Sequence, residues 1–292
     1  MNLDDYTPGA PDPTTPADRW IFSRLARLVA SIDEAYKEYE FSDMTRELYA
    51  FFWNEFCDWY IELSKPRLAA GGQDRAACQR NLVFVLDTAL RLLHPAMPFV
   101  TEQIYQDMPG EKDSPYLMMA AWPDAEELAA YIDPAAERAL AIVTQSVSGI
   151  RSIRARYGIS PKTKLEMTVK AQSAEAVQLF EEQQNLIVAL GNVEVVAVSE
   201  TAEKPAESTM RLADDVEIYV ALSGLVDFAA EQARIEKELG KLEKDRVKFD
   251  KKLSNPGFLS KAAPEIIEKD RAKLADIVER MDRLQAELAE MK

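Results

Sequence analysis

Two heptad repeats that mirror each other constrain the C-terminal part of this chain more tightly than any other feature. Phe228, Gln232, Ile235, Leu239, Leu242, Arg246, Phe249 and Leu253 follow one another at alternating steps of four and three. After Ser254-Asn255-Pro256-Gly257, a second set runs Ile267, Asp270, Leu274, Ile277, Met281, Leu284, Leu288 and Met291 at steps of three and four. Both are coiled-coil seams. Folded back on each other, they pair 253 with 267, 249 with 270, 246 with 274, 242 with 277, 239 with 281, 235 with 284, 232 with 288 and 228 with 291. The layers match along the whole length, so an antiparallel hairpin within one chain over 225–292 is favoured over a parallel dimer. A monomer is expected. Arg246 and Asp270 lie in adjacent layers, each a charge within an apolar stripe, and are expected to meet across the seam.

The hairpin is electrostatically two-sided. With Leu239, Arg246, Leu253, Ile267, Leu274 and Met281 at a positions, the g and c positions near the turn carry Lys241, Lys248, Lys252, Lys269, Lys273 and Arg280 against Asp245 and Asp276. The opposite face carries Glu243, Asp250 and Glu268 against Arg271. Such a face can guide a polyanion. It is also what a coiled coil uses to solvate itself, and the pattern alone leaves both readings open.

Upstream, the periodicity is helical. Residues 1–14 hold Pro and Gly without an apolar period, an irregular leader. Thr15, Pro16 and Asp18 form a helix-start signature, followed by Ile21, Leu25, Leu28, Ile32 and Tyr39 at helical spacing. A second helix is predicted from Ser42, with Met44, Leu48, Phe52, Phe56, Trp59 and Leu63 as its buried stripe and Lys65-Pro66 as its end. Gly71-Gly72 reads as a loop. A third helix is predicted from Asp74 to His94-Pro95, a fourth from Pro98 to about Met108, and a fifth from Asp133-Pro134 to near Gly158, with a connection over 109–124. The period then changes. Leu165–Ala171, Val193–Val198 and Val216–Leu222 are strand-like, Ala174–Leu190 is helical and ended by Gly191, and 200–209 reads as a polar linker. This is a small α+β insert.

Composition limits the chemistry. A length of 292 residues fits two or three domains at roughly 100–200 residues each. The net charge of −15 argues against non-specific adhesion to DNA or anionic membrane. Cys57 and Cys78 are the only cysteines, which excludes a disulfide framework and a thiolate zinc site. His94 is the only histidine, which excludes a Ser-His-Asp triad and a histidine metal site. No apolar run reaches the roughly 20 residues of a membrane span, and no signal peptide opens the chain. A cytoplasmic protein is expected, with no catalytic or metal-binding residues.

Four further features attract attention. Residues 146–170 hold Arg151, Arg154, Arg156, Lys162, Lys164 and Lys170 with Glu166 as the only acid. They read either as a nucleic-acid contact or as a solvated helix end whose cations favour the C-terminal dipole. The aromatic run Tyr49–Tyr60 could stack on unpaired bases, although Phe52, Phe56 and Trp59 fall on the apolar stripe and read as core. His94 reads as structural. Asp58 and Glu62 are spaced as paired carboxylates, but with no partner acid or metal ligand they read as surface groups or as hydrogen-bond partners.

Several of these segments, in this order, resemble the C-terminal third of bacterial valyl-tRNA synthetases. Ala17-Asp18-Arg19-Trp20-Ile21-Phe22-Ser23-Arg24-Leu25 resembles the opening of the anticodon-binding bundle of the Val/Ile/Leu group. Phe51–Tyr60 with Lys65-Pro66-Arg67 is closer to the valyl enzymes, and Leu92–Pro95 with Met97–Glu102 is a group signature. Lys251–Phe258 within a terminal hairpin is the most specific piece. Isoleucyl-type enzymes, the neighbouring alternative, often end in a cysteine-rich zinc module that is absent here. The resemblance implies a mainly α chain: a leader over 1–16, an anticodon-binding helical bundle over 17–158, a small α+β domain over 159–224 and a coiled-coil tRNA-binding arm over 225–292.

It also implies tRNA-Val as partner. The parent enzymes attach valine to tRNA-Val using ATP and Mg and edit mischarged Thr-tRNA. Neither a His-Ile-Gly-His element nor a Lys-Met-Ser-Lys-Ser loop occurs in these residues, and the start at Met1 resembles a truncation just after the catalytic loop. A piece that holds tRNA, needs no cofactor and does no chemistry is therefore expected. By the resemblance, Arg19, Arg24, Arg27, Lys65 and Arg67, joined by Arg151 and Arg154 from the basic segment, would meet the anticodon region. Lys241, Lys248, Lys252, Lys269 and Lys273 would meet the outer corner of the tRNA, with Lys248 and Lys273 at matching family positions. A helical scaffold without an RNA partner is the competing class, and salt-dependent tRNA binding separates the two.

Overall fold

The computed structural model describes residues 3, 5–259 and 264–290 of the chain. Two compact units divide at Thr144/Gln145.

The first unit is helical. Helix α1 (Pro16–Lys37) starts as its sequence dictates: the Thr15 side chain accepts from the Asp18 amide, and the Asp18 carboxylate accepts from the Thr15 amide. Ile21, Phe22, Leu25, Val29 and Ile32 of α1 are fully buried, and the Phe22 ring stacks on Phe84 at 5.2 Å and meets Tyr131 edge-on at 5.0 Å. The second helix, α2 (Phe41–Tyr49), begins one residue before the expected Ser42 and runs into a π-helical segment, Ala50–Tyr60, and then into α3 (Ile61–Ala70).

The π-helical segment changes the buried stripe. The side chains that reach the core are Met44, Leu48, Phe51, Phe56, Tyr60 and Leu63. The step from 51 to 56 is five residues, as i→i+5 winding requires. Phe51 and Tyr60 therefore take the places expected of Phe52 and Trp59, which are only half-buried.

Pro66 does not end the helix, and α3 continues to Ala70. The next residue supplies the reason. The Arg67 guanidinium lies 2.6 Å from Asp18 and 2.7 Å from Asp74, an anchorage that holds the last turn in place despite the missing amide. The expected Gly71-Gly72 loop shrinks to Gly71 alone, at φ +78, because α4 (Gly72–Leu93) starts at Gly72 and not at Asp74. Helix α5 (Pro98–Asp107), a short turn at Leu117–Met119, the one-turn helix α6 (Ala125–Leu128) and another turn at Ala129–Tyr131 lead to α7 (Pro134–Tyr157). The leader is tied to α4: the Asn81 side chain bonds both the amide and the carbonyl of Asp12, and Arg75 and Gln79 hold Asp5.

The second unit contains a four-stranded sheet. Strand β1 (Leu165–Ala171) pairs in parallel with β2 (Val193–Ser199) and antiparallel with β4 (Val216–Ala221), and α8 (Ala174–Gly191) makes the crossover. Leu165, Met167 and Val169 are buried on one face, as their alternation predicts. Asn192, and not Gly191, takes the left-handed position that ends α8. A strand that the sequence reading missed, β3 (Ser208–Ala213), takes the end of the supposed linker 200–209 and completes the order β2-β1-β4-β3.

Helix α9 (Phe228–Leu253), the single turn α10 (Pro256–Leu259) and α11 (Pro264–Glu290) form the hairpin. Ile235, Leu242, Asp270 and Met281 are buried, and the seam side chains from Gln232 to Leu253 and from Ile267 to Leu288 are otherwise half-buried. Met291 lies outside the described residues, as do 260–263.

Candidate nucleic-acid interface

The seam fixes what the hairpin shows to solvent. With the a and d side chains turned inward, Lys241, Lys248, Lys252, Lys269 and Lys273 are all exposed, as is Arg280. Lys248 meets Asp245 on its own helix at 2.9 Å, and Arg280 meets Glu238 on the other helix at 3.4 Å. Lys273 lies 6.0 Å from the Phe249 ring centroid, so its stem covers the seam. Among the described residues, no ion pair engages Lys241, Lys269 or Lys273.

Lys252 is placed differently. Its Nζ is 2.6 Å from the buried Asp270 carboxylate and 4.7 Å from the Phe258 ring. The expected contact of Arg246 with Asp270 is therefore not made. Arg246 instead makes two hydrogen bonds, at 2.9 and 2.7 Å, to Glu243 one turn away on its own helix. Asp270 lies nearer the tip, within reach of Lys252. The hydrogen bond from Arg246, reinforced by its charge, holds the Glu243 carboxyl below its usual range.

In the helical unit each candidate cation is matched by a carboxylate. Arg19 faces Asp133 at 3.4 Å, Arg24 makes a bidentate pair with Glu55 at 2.8 and 2.9 Å, Arg27 reaches Glu137 at 2.7 Å, and Lys65 pairs with Glu62. Arg24 and Arg27 line one shallow pocket of about 260 Å³ with Ser31, Glu47, Phe51 and Glu55. Burial pushes the Glu137 carboxyl up, but hydrogen bonds from Ser23 and Arg27 outweigh it, and the group sits below its usual range. These arginines keep exposed faces, and surface pairs of this kind hold their cations weakly.

Two candidates are used inside the protein. The Arg67 side chain is 14% exposed, and the Asp18 it binds is fully buried and also accepts from Tyr60 Oη at 2.6 Å. Arg154 is buried, with its guanidinium donating to the carbonyls of Ser160 at 2.8 Å, Gly191 at 3.1 Å and Asn192 at 3.0 Å. It neutralises the C-terminus of α8 and closes the turn before β1. Arg151, three residues away, is exposed. His94 is structural in its setting, with Nδ1 2.8 Å from Thr101 Oγ1.

The sequence reading assigned the aromatic run mainly to the core. The structure leaves Tyr49 61% and Trp53 53% exposed, with their rings 6.3 Å apart and nearly parallel at 10°. Among the described residues, no three His, Cys, Asp or Glu side chains form a cluster that could hold a metal ion, and no helix is long and apolar enough to cross a membrane.

Residues 18–169 match the family described as the anticodon-binding domain of tRNA ligase, which defines the class. Residues 227–292 match the valyl tRNA synthetase tRNA binding arm. The full chain is similar to the valine–tRNA ligases of Geobacter sulfurreducens at 38% identity, Syntrophotalea carbinolica at 39% and Thermotoga maritima at 37%. It spans 32–33% of the length of these relatives. The chain belongs to the valyl-tRNA synthetase family and corresponds to its C-terminal part.

Proposed function

We propose that this chain holds tRNA-Val for a valine–tRNA ligase, with the helical bundle receiving the anticodon region and the hairpin resting on the outer corner of the tRNA. The observation that carries the reading is the sidedness of the hairpin. Lys241, Lys269 and Lys273 stand exposed without an ion pair among the described residues, and Lys248 is held only by an exposed partner, on a chain of net charge −15. An acidic protein that binds a polyanion gains most by concentrating cations where contact occurs.

In the bundle, Arg19, Arg24, Arg27 and Lys65 keep exposed faces toward solvent and meet phosphates there. Lys65, whose partner Glu62 is the most exposed of the four carboxylates, exchanges it at least cost. Arg151, exposed in the second unit, is a further candidate cation. Arg67 and Arg154 are withdrawn from the contact set, because their guanidiniums are used in the interior. The chemistry of the parent ligase, which joins valine to tRNA with ATP and Mg, is not placed on any residue here.

The test is a titration with tRNA-Val across a range of salt. Replacing Lys248 and Lys273 by Glu is expected to weaken binding and to flatten the log–log salt slope by up to about two units. Glu at Val247 and Ala275, both exposed, should change it much less. If both variants bind like the unmodified chain at low salt, the hairpin is a spacer and recognition rests on the bundle alone. Binding without salt dependence would favour the scaffold class.

A further inference from the structure

We propose that Tyr49 and Trp53 form a stacking platform for unpaired RNA nucleotides. The proposal rests on the tRNA reading above and deepens it by naming where the bundle receives an unstacked base.

The two rings lie one step of four residues apart where α2 passes into the π-helical segment. The five-residue step that turns Phe51 and Phe56 inward leaves Trp53 on the outside, where a regular 3.6-residue winding would have advanced it further round the axis. With Phe41, 52% exposed, and Thr45, the pair forms a ridge at four-residue spacing: 41, 45, 49 and 53. Large aromatic rings held parallel and open to water are costly to leave uncovered.

The ridge begins at Phe41, which meets the exposed Tyr39 edge-on with ring centroids 6.2 Å apart. Ser42, Arg46 and Asn54 flank it, and all three are exposed. A broad apolar patch of the kind that buries a protein partner is not what surrounds these rings. Flat π faces beside a guanidinium and short polar side chains are what single-stranded RNA uses: bases stack on the rings, and cations meet the backbone. Arg46, one turn before Tyr49, is 72% exposed and held only by Asp43 at 2.8 Å, so its cation is available for exchange with a phosphate. Of the nearby acids, Glu55 is paired with Arg24 at 2.8 Å and Glu47 accepts from Ser31 at 2.6 Å, while Glu40 and Asp58 are exposed.

The experiment uses the 292-residue chain and two probes, tRNA-Val and a short unstructured oligouridine, with tryptophan fluorescence and a filter-retention assay as readouts. Trp53→Ala is expected to weaken tRNA binding about fivefold or more and to reduce quenching by the oligouridine. Trp53→Phe, which keeps a π face, should bind within about twofold of the unmodified chain. The salt slope should stay unchanged in both, because no phosphate contact is lost. Position 53 is exposed, and circular dichroism verifies that each variant is folded.

If the unmodified chain binds tRNA-Val and Trp53→Ala binds equally well, the platform is refuted while the tRNA reading stands. Equal losses in the Ala and Phe variants would refute stacking as the cause. If the unmodified chain binds neither probe, both readings fall. Unchanged RNA binding with altered self-association in Trp53→Ala would make the ridge a protein contact and overturn the proposal.

Discussion

Lys252 on α9 meets Asp270 on α11 across the hairpin seam, with Nζ 2.6 Å from the carboxylate. Asp270 would otherwise be an unpartnered charge in an apolar layer, since its side chain is only 8% exposed. Lys252 also lies over Phe258, so one cation ties both helices to the turn. Its presence on the basic face therefore has a structural cause beside any role in RNA contact.

Lys252→Met is expected to destabilise the hairpin by about 1–3 kcal/mol, because the buried carboxylate loses its partner. Amide hydrogen exchange along α9 and α11 measures this locally, without treating a two-unit chain as a single transition. Adding Asp270→Leu should recover much of the loss, since an apolar pair suits the seam. Exchange rates in Lys252→Met equal to those of the unmodified chain would show that the contact contributes nothing.

Arg154→Met should cost about 2–4 kcal/mol in the second unit, because three carbonyls lose a buried donor. Arg154→Lys should recover only part, since one ammonium does not reproduce the planar fork. Arg151→Met, at an exposed position, should stay within about 1 kcal/mol. Amide hydrogen exchange along β1 and the C-terminal end of α8 separates the three, and similar exchange rates in Arg154→Met and Arg151→Met would contradict the buried role.

The pH dependence has a defined sign at Glu137. Its folded carboxyl titrates below the ordinary value of 4.5, so the folded state favours the charged form. The stability it contributes is complete above the unfolded value and is lost as pH falls through the lowered folded one. Glu137→Gln should therefore lose less stability on acidification below about pH 4.5 than the unmodified chain. Acid titrations of the two with parallel slopes would rule out this contribution.

The elements that were legible in the sequence are those whose signal is local or long. Thr15, Pro16 and Asp18 announce the start of α1 because capping is satisfied within four residues. The hairpin register was readable because eight layers have to agree at once. The π-helical segment was hidden, because a single five-residue step does not register in a 3.6-residue period, and this exchanged Phe51 and Tyr60 for Phe52 and Trp59. Continuation through Pro66 depends on a partner at Asp18, far away in sequence. Strand β3 is short and begins with Ser208 and Thr209, and pairing with β4 decides it.

The interface was half legible. Charge sidedness on the hairpin could be counted, whereas the interior use of Arg67 and Arg154 could not be read from charge. A signal was present even so: Arg154 lies four residues after Ile150 and seven after Val147, both buried, which puts it on the inward stripe of α7.

The paired seam also makes the hairpin a ruler. Helix α9 has 26 residues, a span of about 39 Å at 1.5 Å per residue. Because the described layers of α9 have their counterparts on α11, the length of the arm can change only in whole repeats added to or removed from both helices together. Each such double insertion would extend the reach by about 10 Å and leave the facing of the lysines unchanged. An insertion that is not a whole repeat would turn the layers beyond it by about 100° per residue and break the common facing of the lysines. Length variation within such an arm is thus quantised, and its reach is set by a count of heptads.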